Sequence, residues 1–180
     1  MSVSVIEPLL AGGGAIRPRA AGGARLVSPG ACQYTSCAMA NFSETTVRVR
    51  YAETDQMGVA YHGNYFAWFE VGRTEFLRET GFDYKMLERE EGCYIVVAEA
   101  SCRYKGPARY DDLLRIRTEL KGMRGPVLRF AYTVLRDEDG ALLAEGETAH
   151  LVADKLMKVR SLPEKYVRAL QNFAGSSEQK

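Results

Sequence analysis

Residues 64–80 read N-Y-F-A-W-F-E-V-G-R-T-E-F-L-R-E-T, and no other segment says more about the architecture. The pattern predicts a helix over Asn64–Thr80, since Asn64 is a favourable N-cap type and Gly81 a favourable terminator. Gly72 lies within the apolar face, where a glycine is tolerable if another backbone comes close. Polar residues such as Arg73 fall mostly on the other side. Apolar residues recur at steps of three, four and one, as on a broad helical face: Tyr65, Trp68, Phe69, Gly72, Phe76 and Leu77.

Strand patterns lie on both sides of this helix. Residues Thr46–Ala52 read T-V-R-V-R-Y-A, which predicts a half-buried strand with Tyr51 facing inward. After the helix, one segment begins with four apolar residues in a row, as in a strand covered on both faces. That segment is the first of four predicted strands, which are Tyr94–Tyr104, Leu113–Lys121, Val127–Arg136 and Ala141–Ala153.

The connections between these strands indicate how they pair. The breaks at residues 122–126 and 137–140 are short and rich in turn residues, so the strands beside them form antiparallel hairpins. Short helices are predicted over Asp83–Glu91 and Ser161–Phe173. The fold class is therefore α+β, an antiparallel sheet of about five strands wrapped around one long central helix. The free sheet edge and the aromatic helix favour further burial by dimerisation.

Length and composition limit the function. The chain has 180 residues, 46% apolar and 26% charged, which suits one globular domain. Its net charge of +1 provides no broad field for nucleic acid, and no apolar run is long enough to span a membrane. The four cysteines form no CxxC pair and no zinc-like spacing with histidine. We therefore expect a reducing, cytoplasmic location, with no structural metal and no cofactor.

The first 40 residues differ from the rest of the chain. They hold eight Ala, six Gly and three Pro, with no regular hydrophobic period. Such a segment buries too little apolar surface to offset its ordering entropy. Three interpretations stay open: an over-extended start before Met39, a disordered tail, or an organelle-targeting peptide. The domain itself is expected over residues 41–180.

The residues that could carry chemistry lie just before the long helix. Residues 51–64 read Y-A-E-T-D-Q-M-G-V-A-Y-H-G-N, with Asp55 after the first strand and His62 at the helix start. A helix start offers unpaired N–H groups and a partial positive charge, which suit a developing oxyanion. A carboxylate beside such a site can attack an acyl group or activate water.

Each of these residues also has a purely structural interpretation. Asp55 could be a turn residue, and His62 could matter only through its backbone. Tyr51 could be a packing residue and Asn64 a helix cap. Other residues are expected to be structural only: Glu53 and Thr54 in the loop, His150 in packing or at the surface, and Cys93 and Cys102 as inert thiols.

Taken together, this stretch resembles the 4-hydroxybenzoyl-CoA thioesterase branch of the hotdog-fold acyl-CoA thioesterases. That family has an aromatic residue, then Asp, Gly, Tyr or His, and then Asn and Tyr between its first strand and its helix. A later Tyr110-Asp111-Asp112 before a strand also matches, and the resemblance covers about residues 45–167. The matching positions here are Tyr51, Asp55, Gly58, His62, Asn64 and Tyr65.

The resemblance implies a hotdog fold, assembly into homodimers or homotetramers, and hydrolysis of a fatty or aromatic acyl-CoA. Asp55 matches the family's nucleophile or general base. The N–H groups near His62, Gly63 and Asn64 would polarise the thioester carbonyl, and Tyr51 would line the site. Lys121 and Arg124 would contact CoA phosphates from the turn after a strand.

Other chemistries find no support. The chain has no G-x-S-x-G elbow, no P-loop and no G-x-G-x-x-G fingerprint after a strand. Two alternatives to acyl-CoA hydrolysis stay open. The protein could bind acyl-CoA without hydrolysing it, or it could act on acyl-carrier protein.

Overall fold

Five strands and three α-helices make up residues 42–175, which are the residues that the computed structural model describes. The prediction of a disordered or over-extended segment at residues 1–40 lies outside this range. The elements are β1 Phe42–Arg48, a 3₁₀ turn Tyr51–Glu53, α1 Asn64–Glu79, α2 Tyr84–Glu90, β2 Tyr94–Tyr104, β3 Leu113–Arg124, β4 Val127–Arg136, β5 Leu142–Ala153 and α3 Glu164–Gly175.

The strands form one antiparallel sheet in the order β1-β3-β4-β5-β2. Both predicted hairpins are present, and each turns at a glycine with positive φ, Gly125 at 57° and Gly140 at 69°. A positive φ is sterically unfavourable for a residue with a Cβ, so glycine at these two positions makes the tight turns possible. The predicted α+β class with a sheet of five strands around a long helix is confirmed.

Helix α1 packs its aromatic face on the middle of the sheet. The ring of Phe69 lies over Gly146 of β5 and stacks on Tyr132 at 4.5 Å between centroids. A Cβ at Gly72 would lie 2.5 Å from Thr118 Oγ1 and 2.9 Å from a methyl group of Ile116. The close approach at Gly72 is therefore confirmed, although side chains of β3 make it rather than another backbone.

Arg73 lies on the buried side of α1, contrary to the sequence prediction. It is four residues after Phe69 and three before Phe76, so the helical period places it on the same face. Its Nη1 lies 3.5 Å from Nε2 of His150, which is fully buried on β5. Nε2 of His150 also lies 2.8 Å from Oγ1 of Thr148, and that oxygen lies 2.8 Å from the hydroxyl oxygen of Tyr132. A chain of polar groups thus crosses the interface between helix and sheet.

The first strand lies four residues earlier than predicted and ends at Arg48. The chain then leaves the sheet, because the Glu53 carboxylate accepts a hydrogen bond from the Arg50 N–H at 2.8 Å and closes a 3₁₀ turn. Tyr51 is consequently not an inward strand residue. Its side chain is 78% exposed, and its ring meets the edge of Tyr110 at 5.7 Å.

Strand β2 is an edge strand, and the prediction that it is covered on both faces is wrong for a single chain. Ile95 is buried, but Val97 is 53% exposed, and most residues after it are exposed too. An apolar run indicates that both faces of a strand are covered in the functional molecule. That cover can come from another chain as well as from the same one. Among the described residues, one long side of β2 has no strand paired with it.

Candidate active site

The segment between β1 and α1 is a narrow hairpin held by its own backbone. Asp55 N–H donates to the Val59 carbonyl, and Tyr61 N–H donates to the Glu53 carbonyl, both at 2.8 Å. Gly58 closes the turn with φ of 73°, and its N–H donates to the Asp55 carbonyl at 3.0 Å. The D-x-x-G spacing thus corresponds to a turn with Asp first and a left-handed glycine last.

Asp55 has one carboxylate oxygen engaged and one open. Its Oδ1 accepts the Met57 N–H at 2.8 Å, as in an Asx turn. Within residues 42–175, Oδ2 has no hydrogen-bond donor. The structural interpretation and the chemical one are therefore compatible, since the turn orients the carboxylate and leaves an oxygen to react.

Helix α1 begins at Asn64 as predicted, but its N-cap differs from the prediction. Gly63 is the N-cap, and Asn64 is the first helical residue rather than the cap. The Asn64 side-chain amide donates instead to the Glu53 carbonyl at 2.6 Å, and its backbone N–H donates to the Tyr61 carbonyl at 2.9 Å. The Asn64 N–H is thus already occupied, which removes it from the three predicted oxyanion donors.

Two neighbouring N–H groups remain open at this point. In the described part of the chain, the backbone N–H groups of His62 and Gly63 have no acceptor. Each N–H shares a planar peptide with the carbonyl of the preceding residue, so a hydrogen bond to that carbonyl also fixes the direction of the N–H. The Tyr61 carbonyl accepts from the Asn64 N–H, and the His62 carbonyl accepts from the Tyr104 hydroxyl at 3.0 Å. Paired donors fixed at the positive end of a helix form a good anion or oxyanion site.

A cleft of about 360 Å³ is lined by Asp55 and by His62. It brings together Asp55 and His62, two of the residues predicted from the sequence to carry chemistry. Partial desolvation and the Cys102 thiol raise the pKa of Tyr104 from 10 to about 12. A tyrosine hydroxyl is protonated at neutral pH at either value and can donate a hydrogen bond. The complete lining is Asp55, Met57, Val59, Ala60, His62, Tyr65, Tyr104, Gly106 and Pro107.

Three other predicted residues lie elsewhere in the single chain. Tyr51 does not line the cleft, and its contact with substrate stays a prediction. Lys121 and Arg124 lie within β3, not in the turn after it, because that strand runs three residues further than predicted. Lys121 borders a separate groove on the outer sheet face and pairs with Glu119 at 2.9 Å, which raises its pKa.

Two residues of the site were missed by sequence reasoning. Tyr104 is the last residue of a predicted strand, and nothing in its spacing distinguishes it from a core residue. Glu53 was taken for a loop residue, yet it is only 6% exposed and accepts several hydrogen bonds. Its place two positions before Asp55 was the only available signal.

Other kinds of site find no counterpart in residues 42–175. That range contains no group of three or more His, Cys, Asp or Glu placed to hold a metal ion. None of its helices is long and apolar enough to cross a membrane. Burial raises the pKa of the Cys93 thiol and of the Cys102 thiol, as expected for unreactive cysteines.

Comparison with known proteins gives consistent matches over the same region. The model of the thioesterase-like superfamily matches residues 49–170. The acyl-CoA thioester hydrolase YbgC of Escherichia coli O6:H1 is 42% identical over 122 residues, which cover 67% of this chain and 90% of that protein.

Solved structures share the architecture. A hypothetical protein from Thermus thermophilus superposes with a TM-score of 0.68 at 38% identity, covering 73% of this chain and 98% of that one. A 4-hydroxybenzoyl CoA thioesterase, crystallised as a mutant with 4-hydroxybenzoyl CoA, has a TM-score of 0.68 at 18% identity. The match covers 73% of this chain and 99% of the other, and it shows the fold.

Proposed function

This chain belongs to the thioesterase-like superfamily, and on that premise we propose that it hydrolyses acyl-CoA in the cleft between Asp55 and the start of α1. It is a thioester hydrolase with a hotdog fold. One observation carries the placement of the site. Asp55, which has an open carboxylate oxygen, and His62, which has an unpaired N–H next to that of Gly63 in the chain, line one cleft, so a thioester carbonyl bound there would meet both.

The proposed chemistry places the carbonyl oxygen on these two N–H groups. Negative charge builds on that oxygen as the carbonyl carbon becomes tetrahedral, and the fixed donors stabilise it more than they stabilise the ground state. Losing one such donor typically costs about 3 kcal/mol of barrier, or roughly a hundredfold in rate. The helix dipole acts in the same direction.

Asp55 supplies the second part of the chemistry by one of two routes. Its open oxygen attacks the carbonyl carbon, which releases the CoA thiolate and leaves a mixed anhydride that water then hydrolyses. Alternatively, it takes a proton from a water molecule that attacks directly. The His62 side chain lines the same cleft and would assist the carboxylate. Both routes yield the free acid and CoA.

Binding of the CoA portion and assembly belong to the same proposal. Lys121 and Arg124 are exposed cations near the end of β3 and would contact its phosphates. The unpaired side of β2 and the exposed Val97 support pairing of two copies through this edge. A homodimer or homotetramer therefore remains our proposal, and the cytoplasmic location stays a prediction from the cysteine pattern.

A thiol-release assay tests this function. Purified protein is incubated with short, long and aromatic acyl-CoA, and with one matching acyl-carrier protein. We expect turnover of at least one acyl-CoA, and the preferred acyl group names the substrate class. Turnover of the carrier substrate alone would favour the carrier-protein alternative. Tight acyl-CoA binding without hydrolysis across the panel would overturn the enzymatic proposal.

A further inference from the structure

Glu53 is a buried carboxylate that no step of the proposed chemistry uses. Its side chain is 8% exposed, and both oxygens are engaged. Oε2 accepts the Arg50 N–H at 2.8 Å, and Oε1 accepts the Arg50 guanidinium at 2.8 Å and the Trp68 indole N–H at 3.4 Å. A buried charge needs such partners to offset its desolvation.

These bonds connect three different elements. Arg50 precedes the 3₁₀ turn, Glu53 ends it, and Trp68 belongs to the first turns of α1 and is 1% exposed. Burial alone would raise the pKa of Glu53, but the hydrogen bonds from Arg50 and Trp68 outweigh it and lower that pKa. The carboxylate is therefore ionised at neutral pH and joins the loop to the helix as an anion.

The backbone of the same residue holds the two halves of the candidate active site. The Glu53 carbonyl accepts the Asn64 side-chain amide at 2.6 Å and the Tyr61 N–H at 2.8 Å. Asn64 in turn holds the Tyr61 carbonyl, which fixes the peptide that carries the His62 N–H. In the other direction, Asp55 follows Glu53 by only two residues.

We propose that Glu53 is a positioning residue that sets the distance and angle between the Asp55 carboxylate and the His62 and Gly63 N–H groups. It acts through its side-chain bonds to Arg50 and Trp68 and its carbonyl bonds to Asn64 and Tyr61. Rates of acyl transfer depend steeply on such geometry, since a displacement of about 1 Å can cost roughly a hundredfold. This inference rests on the proposed thioesterase function.

The test is Glu53→Gln, which keeps the size of the side chain. Its amide group would place N–H donors against the donors of Arg50 or Trp68, so the connection between loop and helix weakens. We expect kcat to fall by about tenfold or more while KM changes by less than about threefold, because geometry is lost and not binding area. Glu53→Asp keeps the charge and should retain an intermediate kcat.

The matched control is Glu44→Gln. Glu44 lies on β1, makes ion pairs with Arg115 and Arg117, and does not line the cleft. It undergoes the same charge change and should keep the wild-type kcat. Circular dichroism and the melting temperature establish that each variant is folded at the assay temperature. If Glu53→Gln does not fold, Arg50→Gln removes only the guanidinium contact and should lower kcat by about threefold.

The outcomes separate this inference from the function on which it rests. A folded Glu53→Gln with the kcat of Glu44→Gln would overturn the positioning role while the thioesterase activity stands. A rise in KM alone, with kcat unchanged, would also overturn it. Absence of turnover by the wild-type protein on every acyl-CoA would instead overturn the proposed function.

Discussion

The hydroxyl of Tyr104 donates a hydrogen bond of 3.0 Å to the carbonyl oxygen of His62. Tyr104 is the last residue of the edge strand β2, whereas His62 lies two residues before the start of α1. The bond therefore ties the candidate oxyanion peptide to a different part of the fold. The ring of Tyr104 is also held, since it meets the ring of Tyr65 edge-on at 5.0 Å.

Removing that hydroxyl should slow the reaction. Tyr104→Phe keeps the ring contact with Tyr65 but frees the His62 carbonyl, so the Gly63 N–H loses its fixed direction. We expect kcat to fall by about tenfold and KM to stay within about twofold in steady-state thiol-release assays. Tyr110→Phe removes a hydroxyl outside the cleft and serves as the control. Equal kcat in the two variants would rule out this role.

Gly72 is predicted to be required for stability because of its close approach to β3. Gly72→Ala gains about 1 kcal/mol of helix propensity. Its Cβ would lie 2.5 Å from Thr118 Oγ1, and overpacking of this kind typically costs about 1–3 kcal/mol. The net free energy of unfolding should therefore fall, as measured by urea denaturation. The exposed Val71→Ala should change it by less than about 0.5 kcal/mol, and a stabilised Gly72→Ala would contradict the packing described here.

Stability should depend on pH through His150. Burial and the charge of Arg73 lower the pKa of His150 from 6.5 to about 4. The unfolded chain therefore binds the proton first as pH falls, so the stability that is present above pH 6.5 is lost between 6.5 and about 4. Through His150 alone, the free energy of unfolding should fall by about 2 kcal/mol between pH 7 and pH 5.

The two histidines of the chain make a matched pair for this measurement. Urea denaturation at several pH values should show a weaker pH dependence for His150→Gln than for the wild type. His62→Gln changes the other, exposed histidine and serves as the comparison, because it leaves the contact between Arg73 and His150 in place. The same slope in all three proteins would show that the buried contact between Arg73 and His150 does not govern this range.

Lys121 and Arg124 should affect substrate binding and not chemistry. Neutralising both, by Lys121→Gln with Arg124→Gln, removes two charges proposed to meet CoA phosphates. We expect KM to rise several-fold at low salt, about threefold or more, with kcat unchanged and the difference smaller at high salt. Arg168→Gln on α3 is the control. A variant with unchanged KM at low salt would exclude both residues from CoA binding.

The sequence predicted the elements well because their periodicity is local. Helix α1 begins at the predicted residue, and β2 and β4 have their predicted bounds. The misplaced residues are those whose position depends on distant partners. Tyr51 turns outward because Glu53 closes a 3₁₀ turn, and Arg73 is buried although its type favours the surface.

The residues of the candidate site were also predictable only where their position depends on nearby sequence. Asp55 and His62 could be predicted, because a short motif fixes their place before the helix. Asn64 was misassigned as a cap, since its choice of the Glu53 carbonyl depends on where the hairpin lies. Tyr104 could not be predicted at all, because its contact with His62 joins residues 42 positions apart. Local patterns do not encode a bond of that kind.

The central claim is that the Asp55 carboxylate carries out the hydrolysis. Asp55→Asn is the direct test, because the asparagine oxygen can still accept the Met57 N–H and keep the turn. Asp154→Asn is a matched control, since Asp154 Oδ1 likewise accepts N–H groups in a turn, from Leu156 and Lys158 at 2.8 and 2.9 Å.

The measurement is thiol release from the preferred acyl-CoA by folded wild-type, Asp55→Asn and Asp154→Asn proteins. We expect kcat to fall by at least about a hundredfold in Asp55→Asn and to stay near wild type in Asp154→Asn, and this is the prediction that the role of Asp55 depends on. A folded Asp55→Asn that hydrolyses acyl-CoA at the wild-type rate would contradict it.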